Sequence, residues 1–234
     1  MSEDLPTDLF RAVRLAHDQL DRRIEDYLRG RGLRVTCRQG CAFCCHAWVT
    51  LSLAEAEYLR ANLRPEALER VQVVGQERLK RIAREKNAPD FPTRYFLEAH
   101  PCPLLSPEGA CSAYPHRPLA CRGVLTDLEA RYCQPGAVFA LKGAERRAYL
   151  GQLKPHHGPE HYLKTPWRAS ERAAWQLWQR QREARGFTVI GELASLIYLL
   201  GQADFQAAIQ QGAKAVRDHL KSRGVLGGEW GFWV

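Results

Sequence analysis

Leu9, Val13, Ala16, Leu20, Ile24 and Leu28 recur at steps of three and four residues. That spacing lines one face of an α-helix, and Gly30-Arg31-Gly32 stops it. Leu33–Thr36 and Trp48–Leu51 read as short extended pieces. Ser52-Leu53-Ala54-Glu55 then spells a capping box, in which each side chain can satisfy a free amide at the start of a helix; this helix runs to about Leu63. Pro65 suits the first turn of the next, which runs to about Lys86. Between Asn87 and Gln134 periodicity fades into proline, glycine and cysteine, the texture of a long loop. Such a loop needs something other than backbone hydrogen bonds to order it. After Val138 helical patterning returns. Thr165-Pro166 can serve as cap and first turn of a helix that carries Trp167, Trp175 and Trp178 and ends at Gly186. An apolar run, Val189–Leu200, and an amphipathic segment, Asp204–Arg223, follow. Trp230, Phe232 and Trp233 in the tail are expected to dock on the core. Strands are too few for a substantial sheet, and no internal repeat is seen. The expected fold is mainly α: a helical domain with a long irregular cysteine-rich segment organised by metal. Its regions are an N-terminal helix (1–32), a cysteine-cluster region (33–135) and a C-terminal helical region (136–234) packed on it as one compact unit.

With 234 residues and 45% hydrophobic content the chain can bury a real core. The start, MSEDLPTDLF, is acidic where a secretory signal is basic, and no apolar run approaches the roughly 18 residues that span a bilayer. A soluble, cytoplasmic protein with no membrane partner is expected. In a reducing compartment clustered cysteines bind metal or do redox chemistry rather than form structural disulfides. The formal charge of +8 invites a nucleic-acid partner. Eight thiolates with two divalent ions would lower that charge to about +4, so part of the basic excess offsets ligand charge. Arg34, Arg38, Arg117, Arg122 and Arg131 all lie close to cysteines. The basic stretches 144–154 and 167–185 read either as solvated helix faces or as the contact surface of a zinc-structured nucleic-acid or protein-interaction module.

The eight cysteines are Cys37, Cys41, Cys44, Cys45, Cys102, Cys111, Cys121 and Cys133. Thiolates a few residues apart reach one ion through a tight turn, and two such sets, near and far in sequence, would pin the loop to the first helices. Successive side chains diverge in an extended chain. Cys44 and Cys45 therefore sit on a helical turn, face separate sites, or include one free thiol. Arg117-Pro118 joins a fixed backbone angle to donors that can bond thiolate or loop carbonyls, Arg122 can do likewise, and Tyr114 can pack or donate its hydroxyl. His46, His100 and His116 lie near cysteines. His156, His157 and His161 are spaced like half of a zinc finger, but no cysteine pair stands at the matching separation.

"CRQGCAFCC", the helix opened by "LSLAEAEYL" and "CPLLSPEGACSAYPHRPLACRG" together resemble the YkgJ-type cysteine-cluster family, described as zinc- or iron-chelating. The pattern falls on Cys41, Cys44, Cys45, Cys102, Pro103, Leu104, Leu105, Cys111, Tyr114, Arg117, Pro118, Cys121 and Arg122. The resemblance implies a metal-chelating module over roughly residues 33–125 and supplies no reaction; Cys37 and Cys133 fall outside its tightest part. All-sulfur ligation serves zinc and iron alike, so zinc or iron, including a 4Fe-4S cluster, in one or two sites is the expected cofactor. Cys37, Cys41 and Cys44 also spell C-x3-C-x2-C, the pattern with which radical S-adenosylmethionine enzymes hold a 4Fe-4S cluster. A radical-enzyme-like or other iron-sulfur redox activity is the alternative. Those enzymes build the site on alternating strands and helices, which this chain does not spell. Glu55, Glu57 and Asp127 are weak acid-base candidates, and no enzyme class follows from them.

Overall fold

The computed structural model describes residues 5–234, with side chains from Asp8 onward. Met1–Asp4, which begin the acidic start and the expected first region, lie outside the described residues. Helix α1 (Leu5–Arg31) buries Leu9, Val13, Leu20 and Ile24. Helix α2 (Leu53–Ala61) begins at the expected capping box: Ser52 Oγ accepts from the Glu55 amide and the Glu55 carboxylate accepts from the Ser52 amide. Helix α3 (Pro65–Glu85) follows, with proline in its first turn.

The cysteine-rich stretch is more ordered than its composition suggests. It holds helix α4 (Phe91–Leu97), a 3-10 turn at Tyr114–His116, helix α5 (Leu119–Gly123) and a second 3-10 turn at Ala130–Cys133. These pieces are too short to establish a hydrophobic period. Helices α6 (Ala137–Ala140) and α7 (Gly143–Gln152) lead to α8 (Lys164–Arg185). Pro166 lies in the first turn of α8, but Leu163 rather than Thr165 occupies the cap position, and Gly186 ends the helix in the left-handed conformation. Helix α9 (Leu193–Leu199) precedes α10 (Ala203–Gln211) and α11 (Ala213–Ser222). The amphipathic segment Asp204–Arg223 is thus two helices parted at Gly212, whose φ of 99° favours glycine.

Strands β1 (Thr50–Ser52) and β2 (Ile190–Glu192) pair antiparallel, Leu51 opposite Gly191. Each runs straight into a capped helix. Leu53 N donates to Val189 O at 2.7 Å and Leu193 N to Val49 O at 2.9 Å, a reciprocal exchange. Ser52-Leu53-Ala54-Glu55 is answered by Glu192-Leu193-Ala194-Ser195 with the serine and glutamate exchanged, and here Glu192 accepts from the Ser195 amide and hydroxyl, both at 2.8 Å. The sequence therefore contains a four-residue echo that a search for identical repeats passes over.

Two cores flank this pair. One joins α2, α3, α9, α10, α11 and the tail; the other joins α1, α2, α5 and α8. At Gly75 an added Cβ would lie 2.2 Å from the Ala194 carbonyl oxygen, so α3 and α9 meet backbone to backbone. In the tail Phe232 is fully buried while Trp233 stays 54% exposed. No described helix is long and apolar enough to cross a membrane.

Candidate metal centre

The first four cysteines lie on consecutive tight turns. Cys41 N donates to Arg38 O and Cys45 N to Ala42 O, both at 3.0 Å, and Ala47 N donates to Cys44 O at 3.2 Å. The far segment is stitched to this loop by Cys102 N donating to Cys45 O at 2.7 Å. Cys111 closes a narrow turn in which Ser112 N donates to Leu104 O at 2.8 Å. Cys121 sits within α5, and Cys133 ends the second 3-10 turn.

Buried polar groups hold these pieces on the helical frame. Glu55 accepts from Ser52 N at 3.1 Å and from Ser52 Oγ at 3.0 Å, and its other oxygen accepts from Leu119 N at 3.1 Å, the first residue of α5. Burial pushes its carboxyl up while these donors pull it down. Arg78 and Glu192 form a buried ion pair at 2.6 Å, and Arg78 also donates to Pro101 O at 3.3 Å, next to Cys102. Thr36 donates through its amide to Thr126 O at 3.0 Å and through its hydroxyl to Leu128 O at 2.6 Å, which ties the approach to Cys37 to the approach to Cys133. These anchors connect residues far apart in sequence, so spacing alone does not reveal them.

All eight cysteines are unpaired thiols; Cys133 is buried and the rest partly so. Their mutual electrostatics forms two neighbourhoods that share Cys44. Burial raises Cys37, with Cys44 and Cys41 adding to the shift, and burial raises Cys133 to about 12, with Cys37, Cys44 and Cys41 as its charged neighbours. In the other group burial raises Cys102 to about 11 and Cys121 further; Cys121 feels Cys102, Cys44 and Cys111. The two groups touch at Cys44–Cys45. The Cys45 thiol donates to Cys44, lowering Cys44 to about 7 and raising Cys45. Amides of Thr126, Leu104 and Ala113 point at the sulfurs of Cys37, Cys102 and Cys111. Among the described residues no three of the sulfurs all lie within 4.8 Å of one another.

Arg117 and Arg122 part company. The Arg117 guanidinium lies over the Tyr114 ring at 4.4 Å, leaves its buried Nε unpartnered and favours the thiolate form of Cys37, Cys44, Cys111 and Cys121. Tyr114 thus serves as a platform for this cation. Arg122 instead bonds the carbonyls of Arg117 at 3.0 Å and of Pro115, the Asp21 carboxylate and His17 Nδ1. It locks the 3-10 turn to α1.

The histidines are engaged in distinct ways. His116 Nδ1 pairs with Tyr58 at 2.9 Å, and His100 with Glu98 at 2.9 Å. Ligand atoms of Asp127, His156 and His157 lie within 4.8 Å of one another. His157 Nδ1 accepts the Lys154 amide at 2.9 Å, so its proton sits on Nε2, 2.6 Å from Asp127. A metal-binding imidazole needs the reverse, a proton on the nitrogen away from the metal; the trio is therefore a hydrogen-bonded knot that closes its loop. His161, 1% exposed, places Nε2 3.3 Å from the Cys133 sulfur and Nδ1 3.1 Å from the Tyr149 hydroxyl. Burial lowers His161 to about 4 and raises Tyr149 to about 12. Tyr149 therefore keeps its proton and can donate to Nδ1, and a neutral His161 then donates from Nε2 to sulfur. Tyr162 also hydrogen-bonds Cys133. Reading the histidines as a zinc-finger half gave no sign of this arrangement.

The eight thiols thus lie on a mainly helical frame, in a cysteine-rich stretch from Cys37 to Cys133. Residues 36–135, less than half of the chain, match the family model CxxCxxCC, described as "Putative zinc- or iron-chelating domain", and over that stretch the chain is similar to this family. Comparison with curated proteins and with solved structures found no match.

Proposed function

We propose that the cysteines form two four-sulfur sets, Cys37/Cys41/Cys44/Cys133 and Cys45/Cys102/Cys111/Cys121, that hold iron-sulfur clusters, making the protein a one-electron redox protein. The observation that carries this reading is the spread of the sulfurs. Four thiolates around one zinc, with bonds of about 2.3 Å, stand about 3.8 Å apart, closer than any three sulfurs here come together. A cluster gives each thiolate its own iron and so takes a wider set. The division also accounts for adjacent Cys44 and Cys45, one in each set. The radical-enzyme alternative lacks support from the fold: the described strands are three residues each, and the C-x3-C-x2-C run stands on a helical frame.

A bound cluster would supply one-electron transfer. The chain's own residues do the rest. The cysteines hold iron; Arg117 offsets thiolate charge; the amides of Thr126, Leu104 and Ala113, with His161 and Tyr162, donate to sulfur and spread its charge.

Protein purified without oxygen tests the reading. Two 4Fe-4S clusters predict about eight irons and as many acid-labile sulfides per chain, and Cys44→Ser and Cys45→Ser should each lose about half. A colourless, zinc-loaded protein, or one serine variant that loses all the metal while the other loses none, would overturn it.

A further inference from the structure

The two ends of the first sulfur set face opposite surroundings. Cys133 is buried and capped by His161 and Tyr162. Cys41 lines a cavity of about 610 Å³, whose walls include Thr36, Arg38, Phe43, His46 and Gln134. This volume falls within the range of small-molecule sites, roughly 300–1,000 Å³. Among the described residues no aspartate or glutamate lines it, and Arg38 brings positive charge to the wall. Phe43, 38% exposed, supplies an apolar wall. His46 contributes its ring to the wall. Cation, apolar wall and imidazole lie around one thiol.

The geometry points to this cavity as a binding site for a small organic anion, a carboxylate paired with Arg38 and carrying an arm over Phe43 toward Cys41. A guanidinium fork matches a carboxylate in two parallel hydrogen bonds. The anion site stands on the cavity alone; its adjacency to a redox centre rests on the ligand role proposed for Cys41. In that setting the bound anion sits at the exposed edge of the cluster, where a substrate or ligand can meet it, while the Cys133 edge is sealed.

Iodoacetate and iodoacetamide alkylate thiols by the same displacement and differ by one negative charge. Each is applied to the full-length protein as purified, and labelling is read cysteine by cysteine by mass spectrometry. The absolute rate at Cys41 reports whether that thiol is tied up by metal, and the ratio of the two reagents reports the cavity; where the rate is too slow to read in the protein as purified, the same ratio is read after a chelator has stripped the metal, so the cavity is tested in either case. The ratio at Cys41 is expected to exceed that at Cys111, to fall several-fold, up to about tenfold, in Arg38→Gln as one nearby charge is removed, and to persist in Arg38→Lys. Succinate, a non-alkylating probe, should slow Cys41 labelling in the wild type and not in Arg38→Gln. A ratio at Cys41 equal to that at Cys111, or one unchanged by Arg38→Gln, would overturn the anion site. A fast absolute rate at Cys41 with the ratio intact would instead remove Cys41 from the cluster and leave the site standing.

Discussion

Glu55→Gln tests whether a helix cap also holds the candidate metal centre. One Glu55 oxygen accepts twice from Ser52, and the other accepts from Leu119 N at the start of α5. Glutamine keeps the shape but turns one acceptor into a donor. If the amide NH2 faces Leu119, two donors confront each other in the core; if it faces Ser52, the cap is lost instead. A hydrogen bond to a charged group contributes about 1.5–3 kcal/mol, and a buried donor left without a partner costs about 1–3 kcal/mol. Removing the buried charge recovers part of this, because burial already pushes the carboxyl up, and a net loss of about 2 kcal/mol follows. Ser52→Ala is the control. It removes the side-chain cap, worth about 1 kcal/mol, together with the hydroxyl's bond to Glu55, and leaves Leu119 bonded. Urea unfolding of both variants gives the stabilities, and competition with a chelator at fixed pH gives metal retention. Glu55→Gln should lose more stability than Ser52→Ala and, unlike it, release metal more readily, since α5 carries Cys121. Equal stability and equal retention in the two variants would refute the idea that Glu55 positions α5.

Gly123 allows α5 to lie against α8: a Cβ there would fall 2.2 Å from Ser170 Oγ and 2.8 Å from Pro166 O. Gly123→Ala should cost about 1–3 kcal/mol in thermal or urea unfolding, and an unchanged midpoint would mean that α5 is free to shift. His17 is held neutral because burial, and then the Arg122 cation bonded to its Nδ1, lower it to about 3. The unfolded chain therefore takes up the proton first, and this contribution to stability is complete above about pH 6.5 and lost at about 1.4 kcal/mol per pH unit as pH falls toward 3. His17→Asn retains an acceptor for Arg122 without titrating, so its acid slope should be shallower by one proton; parallel slopes would refute the assignment. His161→Leu removes a donor from the Cys133 sulfur and should lower the reduction potential of a bound cluster, with Tyr149→Phe giving a smaller shift in the same direction. Identical potentials in voltammetry of wild type and both variants would show that the two residues only fill space.

What the sequence disclosed follows the range of each interaction. Helix α1 was legible because a 27-residue element repeats its apolar step many times, and the Ser52 capping box because its partners are three residues apart. Its counterpart at Glu192 was not, because cap and third residue are exchanged. Helices α4, α5 and α6 span seven, five and four residues, less than a period needs to declare itself. The cysteines were conspicuous as a cluster, but the proposed division was not: it rests on Cys133 having Cys37 and Cys41 as electrostatic neighbours across nearly a hundred residues. The bond between His161 and Cys133 was hidden for the same reason, the two lying 28 residues apart.

The two proposed sulfur sets also differ in how they hang from the frame, and this bears on their roles. Cys102 and Cys121 sit beside backbone groups fixed by Arg78–Glu192 and by Glu55, pairs that belong to the β1–β2 junction itself. That set cannot shift without disturbing the buried centre of the molecule. Cys37 and Cys133 are tied instead through Thr36, Thr126 and His161, by hydrogen bonds between loops, and Cys41 faces the cavity. Loops open locally at lower free energy than core elements, so of the two sets the first is the one able to adjust to an arriving molecule. The second set keeps the geometry on which the first is built, because Cys45 is bonded through its carbonyl to Cys102 and adjoins Cys44 in the chain. On the proposed assignment, access in front puts Cys41 where an arriving molecule would meet the site, with Cys45, Cys102, Cys111 and Cys121 as its support.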